Sequence, residues 1–339
     1  MDQLNRRTFI KAGAASLAAS PILSALAESN ALAASPETNG LIWGLLLHLG
    51  RNMWGDCPTA INPPVDRFVC DEEFWEELTE KAAKSGLNMI VIDLGEAIQY
   101  KSHPEIAVEG AWTVERLRED LERMRKIGLE PIPKLNFSSC HDQWLGDYAR
   151  MVSTKTYYKV CADLIKEVSE IFHKPRFFHI GYDEETYEHQ TTYEYIVIRQ
   201  KDLWKHDFLF FIEQCEKNGV RPWIWADRGW NHPDFLEWAP KSILMSNWYY
   251  GSDFNPETNI WVKHYLDLHE AGYEQIPTGS NWANDENFDL TVKFGKEHLN
   301  DEKLLGYLHA PWAVTEPKFH VKNLGAIDQV VAARTKYYS

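Results

Sequence analysis

Residues 114–139 read VERLREDLERMRKIGLEPIPKLNFSS. Val114–Ile127 carries an amphipathic helical pattern, Gly128 can take a left-handed helix cap without strain, and Glu130–Ser139 is a short apolar run of strand type. Working outward, the same unit recurs. Strand-like runs fall at Leu41–Gly50, Asn88–Glu96, Glu130–Ser139, Arg176–Glu184, Arg221–Arg228, Ile243–Gly251, Gln275–Trp282 and Leu304–Trp312. Helical patterns lie between them at Asp71–Ser85, Thr156–Phe172, Asp202–Asn218, Asn259–Ala271 and Phe288–Leu299, and a last one spans Val321–Tyr337. The segment between the fifth and sixth runs is short and predicts one small helix over His232–Trp238. Eight βα units predict a parallel sheet closed into an α/β barrel, the (β/α)8 or TIM barrel. A doubly wound sheet rarely carries eight evenly spaced units.

Composition sets the outer limits. The chain has 339 residues, 35 Lys and Arg against 50 Asp and Glu, and a formal charge of −15. That excess of negative charge argues against a nucleic-acid partner, which needs a basic face. Aromatic residues make up 13%, including 14 Trp, more than a core needs. No Gly-rich phosphate loop or Gly-x-Ser-x-Gly elbow occurs, so no nucleotide cofactor is expected. Residues 1–33 read as an export signal with a short linker: Arg6-Arg7 before Phe9, a small apolar run from Ala12 to Ala27, and cleavage after Ala27 or Ala33. Arg6-Arg7 resembles a twin-arginine signal, which implies the twin-arginine (Tat) export machinery as a partner and a periplasmic or extracellular location. The apolar run holds Ser, Gly and Pro and is a poor membrane anchor. Residues 38–339 are then a single catalytic domain. Of the five cysteines, Cys161 and Cys215 fall in helical patterns and read as buried, and Cys57 with Cys70 is the one pair close enough in sequence to suggest a bridge.

In such barrels the site forms at the C-terminal ends of the strands. Those ends carry His48 and Arg51; Asp93 and Glu96; Asn136 and His141-Asp142; His179, Asp183 and Glu184; Trp225 and Asp227; Asn247, Trp248 and Tyr249; Asn281 and Trp282; His309 and Trp312. Trp225, Trp248, Trp282 and Trp312 suit the apolar face of a sugar ring, with Asp227, Arg51 and Asn247 taking hydroxyls. Trp43, Trp75, Trp204, Trp238 and Trp261 read as barrel packing. In the fourth run strand alternation sends Phe178 and Ile180 out to the helices and His179, Gly181 and Asp183 into the barrel, with Glu184 just past the strand end. Adjacent carboxylates at a barrel mouth suit glycosidic bond cleavage, which needs one group held protonated beside another that raises its pKa.

His179-Ile-Gly-Tyr-Asp183-Glu184 resembles the His-x-Gly-Gly-Asp-Glu motif of family 20 glycoside hydrolases, the β-N-acetylhexosaminidases. The resemblance implies Glu184 as general acid/base and Asp183 as the group orienting a 2-acetamido substituent, whose carbonyl oxygen is the nucleophile. It also implies substrate-binding roles for Arg51, His141, Trp225, Asp227, Trp248, Tyr249 and Trp312, with Tyr249 in the place of an assisting tyrosine and Glu316 following Trp312; His179, Asn247 and Trp282 join the substrate-binding set from their places at the strand ends. Tyr182 stands where the motif has its second Gly. Independently, a protein nucleophile would have to face the acid at about 5–5.5 Å. Adjacent residues of one strand are poorly placed for that, and the seventh run ends without a carboxylate, so substrate assistance is favoured and Asp227 is the remaining alternative nucleophile. Two other readings stay open. One is a metal-dependent barrel acting on sugars through His48, His141, Asp142, His179, Asp183, Asp227 and His309. The other is a barrel that binds carbohydrate without catalysis.

Overall fold

The structure, a computed structural model, describes residues 40–54, 63–300 and 302–339. The export signal read at residues 1–33 lies outside them, as does Cys57; Cys70, Cys140, Cys161 and Cys215 are free thiols. Among the described residues no helix is long and apolar enough to cross a membrane.

The barrel strands are β1 (Ile42–His48), β2 (Met89–Asp93), β3 (Glu130–Lys134), β4 (Phe177–His179), β5 (Arg221–Trp225), β6 (Leu244–Ser246), β7 (Thr278–Gly279) and β8 (Gly306–His309). All pair in parallel, in the order β6-β5-β4-β3-β2-β1-β8-β7. Bridges at Met245–Gln275 and Trp248–Thr278 join β6 to β7 and complete the ring. The helices are α1 (Glu72–Lys84), α2 (Val114–Lys126), α3 (Lys155–Ile171), α4 (Lys201–Lys217), α5 (Ile260–Glu270), α6 (Asn287–His298) and α7 (His320–Tyr338). This is the expected (β/α)8 barrel, with one local difference. Between β5 and β6 stand two single turns, Arg228–Asn231 and Phe235–Trp238, rather than one helix. Pro233 between them has no N–H to continue the first turn.

Local chemistry explains the elements. Asp71, Thr113, Thr154 and Asn259 each accept a backbone N–H at the start of α1, α2, α3 and α5. Strand alternation then sorts two apolar layers. Ile42, Leu46, Val91, Ile132, Phe177, Trp223 and Leu308 fill the barrel interior, whereas Trp43, Leu45, Leu47, Ile90 and Phe178 pack outward against the helices. Cys161 and Cys215 lie fully buried in that outer layer.

At the C-terminal ends the interior turns polar within one layer. His48 pairs with Asp93, Asp93 with Lys134, and Lys134 with His179 across β1 to β4. Lys134 is fully buried and ion-paired with Asp93, which His48 Nδ1 approaches at 3.6 Å. A buried ammonium needs such a partner, because desolvation without one costs several kcal/mol. This layer is the floor of the mouth.

Candidate active site

The backbone leaves β4 in an uncommon conformation. Gly181, Tyr182 and Glu184 all have positive φ, at 68°, 75° and 59°. Only glycine fits at 181, since a Cβ there would lie 1.9 Å from Asn136 Oδ1. That same Oδ1 accepts the N–H groups of Ser138 (3.0 Å) and Tyr182 (3.2 Å), tying the end of β3 to the end of β4. Tyr182 pays for its conformation through its ring, which is buried edge-on to Trp204, Phe208 and Phe211 under the Arg199 guanidinium. Non-glycine residues in this region cost of order 1–3 kcal/mol each and cluster where geometry is functional. The departure from Gly at 182 therefore keeps the turn and adds an anchor.

Three acidic groups meet here, two on that turn and one just past the end of β5. Asp183 is buried, accepts from Asn136 Nδ2 at 2.9 Å, and stands 3.4 Å from His141 Nε2. Glu184 Oε2 lies 3.0 Å from His141 Nε2 and 3.3 Å from His189 Nε2. Asp227 receives the Glu184 backbone N–H on Oδ2 at 2.9 Å, while its Oδ1 makes no hydrogen bond within the protein. Burial raises the Asp227 carboxyl to about 8, with the charges of Asp183 and Glu184 adding to the effect. Asp183 is likewise raised by burial, against the pull of His141. Glu184 goes the other way: burial would raise it, but the bond and charge of His141 and the charge of His189 outweigh that and hold it low. His141 itself is raised to about 9, the charges of Asp183 and Glu184 outweighing desolvation. The sequence pointed to Glu184 as the group held protonated by a neighbouring carboxylate. Instead the two imidazoles, His141 foremost, reverse its shift, and His141 Nε2 is hydrogen-bonded to Glu184.

The other sequence-derived residues divide by position. His179 points into the barrel between Trp223 and Trp225, accepts the Gly181 N–H on Nδ1 at 3.0 Å, and is kept neutral by burial and by Lys134. It braces the turn from below. Trp225 tops the interior, 5.7 Å from Trp312, and its indole N–H makes no hydrogen bond within the protein. Trp312 also faces His48 and Trp54. Arg51 is ion-paired with Glu316, donates from Nε to Pro63 O at 2.9 Å, and gives its backbone N–H to Glu96 at 2.6 Å. Asn247 is committed on both ends, accepting from Trp230 Nε1 at 2.8 Å and donating to Trp261 O at 2.7 Å. Trp248 stacks on Tyr250 at 5.0 Å, and Trp282 stands half exposed with its ring 6.3 Å from Tyr250. Tyr249 turns outward, stacked on Trp261 and edge-on to Phe254.

Three further positions at the mouth stand out in the structure. Tyr250, not Tyr249, faces the carboxylates: Asp183 and Glu184 help burial to raise its hydroxyl, and Trp312 lies beside it. Lys134 forms the charged floor. His189, in the single turn Tyr187–Gln190, completes the contacts of Glu184. Of the residues of the metal-barrel reading, His141 and Asp183 meet, but the other histidines do not join them. His48 is with Asp93, His309 with Gln329, and His179 with Trp223 and Trp225. Among the described residues, the one group of three or more ligand types within reach of one ion is His141, Glu184 and His189.

Glu184 and Asp227 also border a cleft of about 1240 Å³ between the loops after β4 and β5, with Tyr187, Trp230, Trp238 and Trp261 on its walls. It exceeds the roughly 300–1,000 Å³ of ordinary small-molecule pockets.

No protein-family model matches the chain, and neither does any curated protein. Solved structures do. An exo-β-N-acetylglucosaminidase of glycoside hydrolase family 20 from Vibrio harveyi, in complex with N-acetylglucosamine, aligns over 88% of this chain and 57% of its own, with TM-score 0.59 and 14% identity. The N-acetyl-β-hexosaminidase of Streptomyces plicatus, as a mutant in complex with product, aligns over 88% of this chain and 68% of its own, with TM-score 0.58 and 14% identity. Dispersin B aligns over 85% of this chain and 98% of its own, with TM-score 0.55 and 13% identity. The chain thus spans little more than half the length of the Vibrio protein, and what it shares with all three is the fold, a (β/α)8 barrel.

Proposed function

We propose that this chain is a glycoside hydrolase that removes terminal β-linked N-acetylhexosamine, or a related hexose, with retention of configuration and with assistance from the substrate's own acetamido group. Residues 38–339 are its catalytic domain, and residues 1–33 direct export to the periplasm or beyond through the twin-arginine machinery. The observation that carries the reading is the turn after β4, which presents Asp183 and Glu184 side by side under a mouth walled by Trp225, Tyr250 and Trp312. The solved structures of like fold are enzymes of this activity.

In this reading a sugar stacks against Trp225 and Trp312, and its hydroxyls meet Arg51 and Glu316. The proton shared between His141 Nε2 and Glu184 Oε2 passes through Glu184 to the leaving oxygen as the glycosidic bond breaks. The acetamido oxygen attacks the anomeric carbon from the opposite face and forms a cyclic oxazolinium-type intermediate. Asp183, with the Tyr250 hydroxyl, orients that group and balances its developing charge. Glu184, now ionised, takes a proton from the incoming water, whose oxygen opens the ring. Trp248, Trp282 and Asp227 bound the space that the leaving group occupies.

The test is the stereochemistry of the product. Proton NMR during hydrolysis of an aryl β-N-acetylhexosaminide should show the β-anomer first, and a cyclic thiazoline mimic of the intermediate should inhibit. First appearance of the α-anomer, or indifference to the mimic, contradicts the mechanism.

A further inference from the structure

Beside the carboxylate pair, three ligand atoms meet that no glycosidase step requires together. His141 Nε2 and His189 Nε2 stand 3.0 Å and 3.3 Å from Glu184 Oε2, and all three atoms lie within 4.8 Å of one another. Ligands held at ~2.0–2.1 Å from a tetrahedral ion stand roughly 3.3 Å apart. The two imidazoles are 5.7 Å apart between ring centroids and crossed at 73°, and His141 meets the carboxylate through its ring nitrogen in hydrogen-bond geometry. Two imidazoles and one carboxylate make a borderline donor set suited to zinc and its neighbours rather than to Mg²⁺ or Ca²⁺.

The supports of the three residues differ in a useful way. The His141 side chain is 4% exposed, and its backbone N–H is bonded to Ser138 O at 2.9 Å. Glu184 is fixed by its positive φ and by Asp227. His189 is 33% exposed, in a turn where its own backbone N–H is capped by Thr186 Oγ1 at 3.1 Å. Two preset ligands and one accessible one form an open site that an ion can enter from the cleft, with a fourth position left for water.

We propose that His141, Glu184 and His189 bind one zinc-class divalent ion, the His141 Nε2 proton leaving to solvent as the ion binds, and that the ion competes with proton donation by holding Glu184 Oε2. The binding stands on geometry alone, whereas the competition rests on the proposed function. Calorimetric titration of the full chain with ZnCl₂ should give one ion per chain. His189→Ala should weaken that binding at least as much as losing a ligand's orienting partner does, about 10–100-fold. MgCl₂ should give no comparable binding. The X-ray absorption edge of the zinc-loaded wild type should show two imidazoles, a readout that does not depend on any variant folding. Unchanged affinity in His189→Ala, or an edge without imidazole scattering, overturns the site. In assays with an aryl β-N-acetylhexosaminide, zinc should inhibit the wild type over the concentrations that fill the calorimetric site, and a chelator should restore turnover. Turnover unimpeded by bound zinc, or turnover that requires zinc, overturns the competition. No turnover with or without zinc contradicts the glycosidase reading while the titration still decides the site.

Discussion

The barrel mouth has two unlike halves. Over β3 to β5 it is ionic: Asp183, Glu184, Asp227, His141 and His189 crowd onto a backbone of unusual conformation, and each holds another's proton affinity away from its ordinary value. Over β6, β7, β8 and β1 it is aromatic: Trp248, Tyr250, Trp282, Trp312 and Trp54 meet ring to ring, with the Arg51–Glu316 pair at the edge. Strain and mutually perturbed carboxylates and imidazoles are expensive, and here they fall together on neighbouring residues of one turn and the groups it touches. The aromatic half carries less of both, with a positive φ of 49° at Trp312 and a raised Tyr250 hydroxyl, and its rings can recognise a ligand with little rearrangement. Chemistry should therefore fail abruptly when the first half is altered, and recognition should fail gradually when the second is.

Glu184→Gln should have the largest effect, lowering kcat for an aryl β-N-acetylhexosaminide by about 10²–10⁴-fold, the range for a lost general acid. A kcat within tenfold of wild type would move the proton donor elsewhere, to Asp227 first. Asp183→Asn should lower kcat by about 10²–10³-fold, as loss of one preorganised electrostatic partner does; steady-state kinetics showing only a raised KM would make it a binding group. Crossing to the aromatic half, Tyr250→Phe should lower kcat/KM by roughly tenfold, about the worth of one hydrogen bond, while Tyr249→Phe should leave it unchanged. The reverse order would restore the sequence-based choice of tyrosine. Trp282→Ala, at an exposed rim ring, should raise KM a few-fold with kcat intact, on the scale of about 0.5–1.5 kcal/mol for one aromatic contact. A large fall in kcat there would blur the division between the halves.

Much of this was legible in the chain. The alternation of apolar runs with helical patterns was enough for the barrel, because strand order in a (β/α)8 unit follows chain order. Strand alternation also placed Phe178 outside and His179 inside correctly. The same rule, carried on from Leu244 through Ser246 and Trp248, reaches Tyr250 on the inner face and sends Asn247 and Tyr249 outward, where the helix-side residues claim them. Likewise Lys134 shares the face of Ile132. Those signals were present in the spacing and were passed over in favour of residue type. The shift of Glu184 was not legible. It depends first on the hydrogen bond and charge of His141, then on His189, which arrives from an irregular loop that no periodicity governs, and on the positive φ at Glu184.

The most direct test of the central claim is turnover of matched aryl β-glycosides, with and without a 2-acetamido group, by wild type and Glu184→Gln. The account predicts cleavage of the acetamido sugars by the wild type, little or none of the plain hexosides, and loss of the former in the variant. Equal cleavage of both sugars would contradict substrate assistance and point to a protein nucleophile, Asp227 first. Wild-type protein that turns over neither would contradict the glycosidase itself.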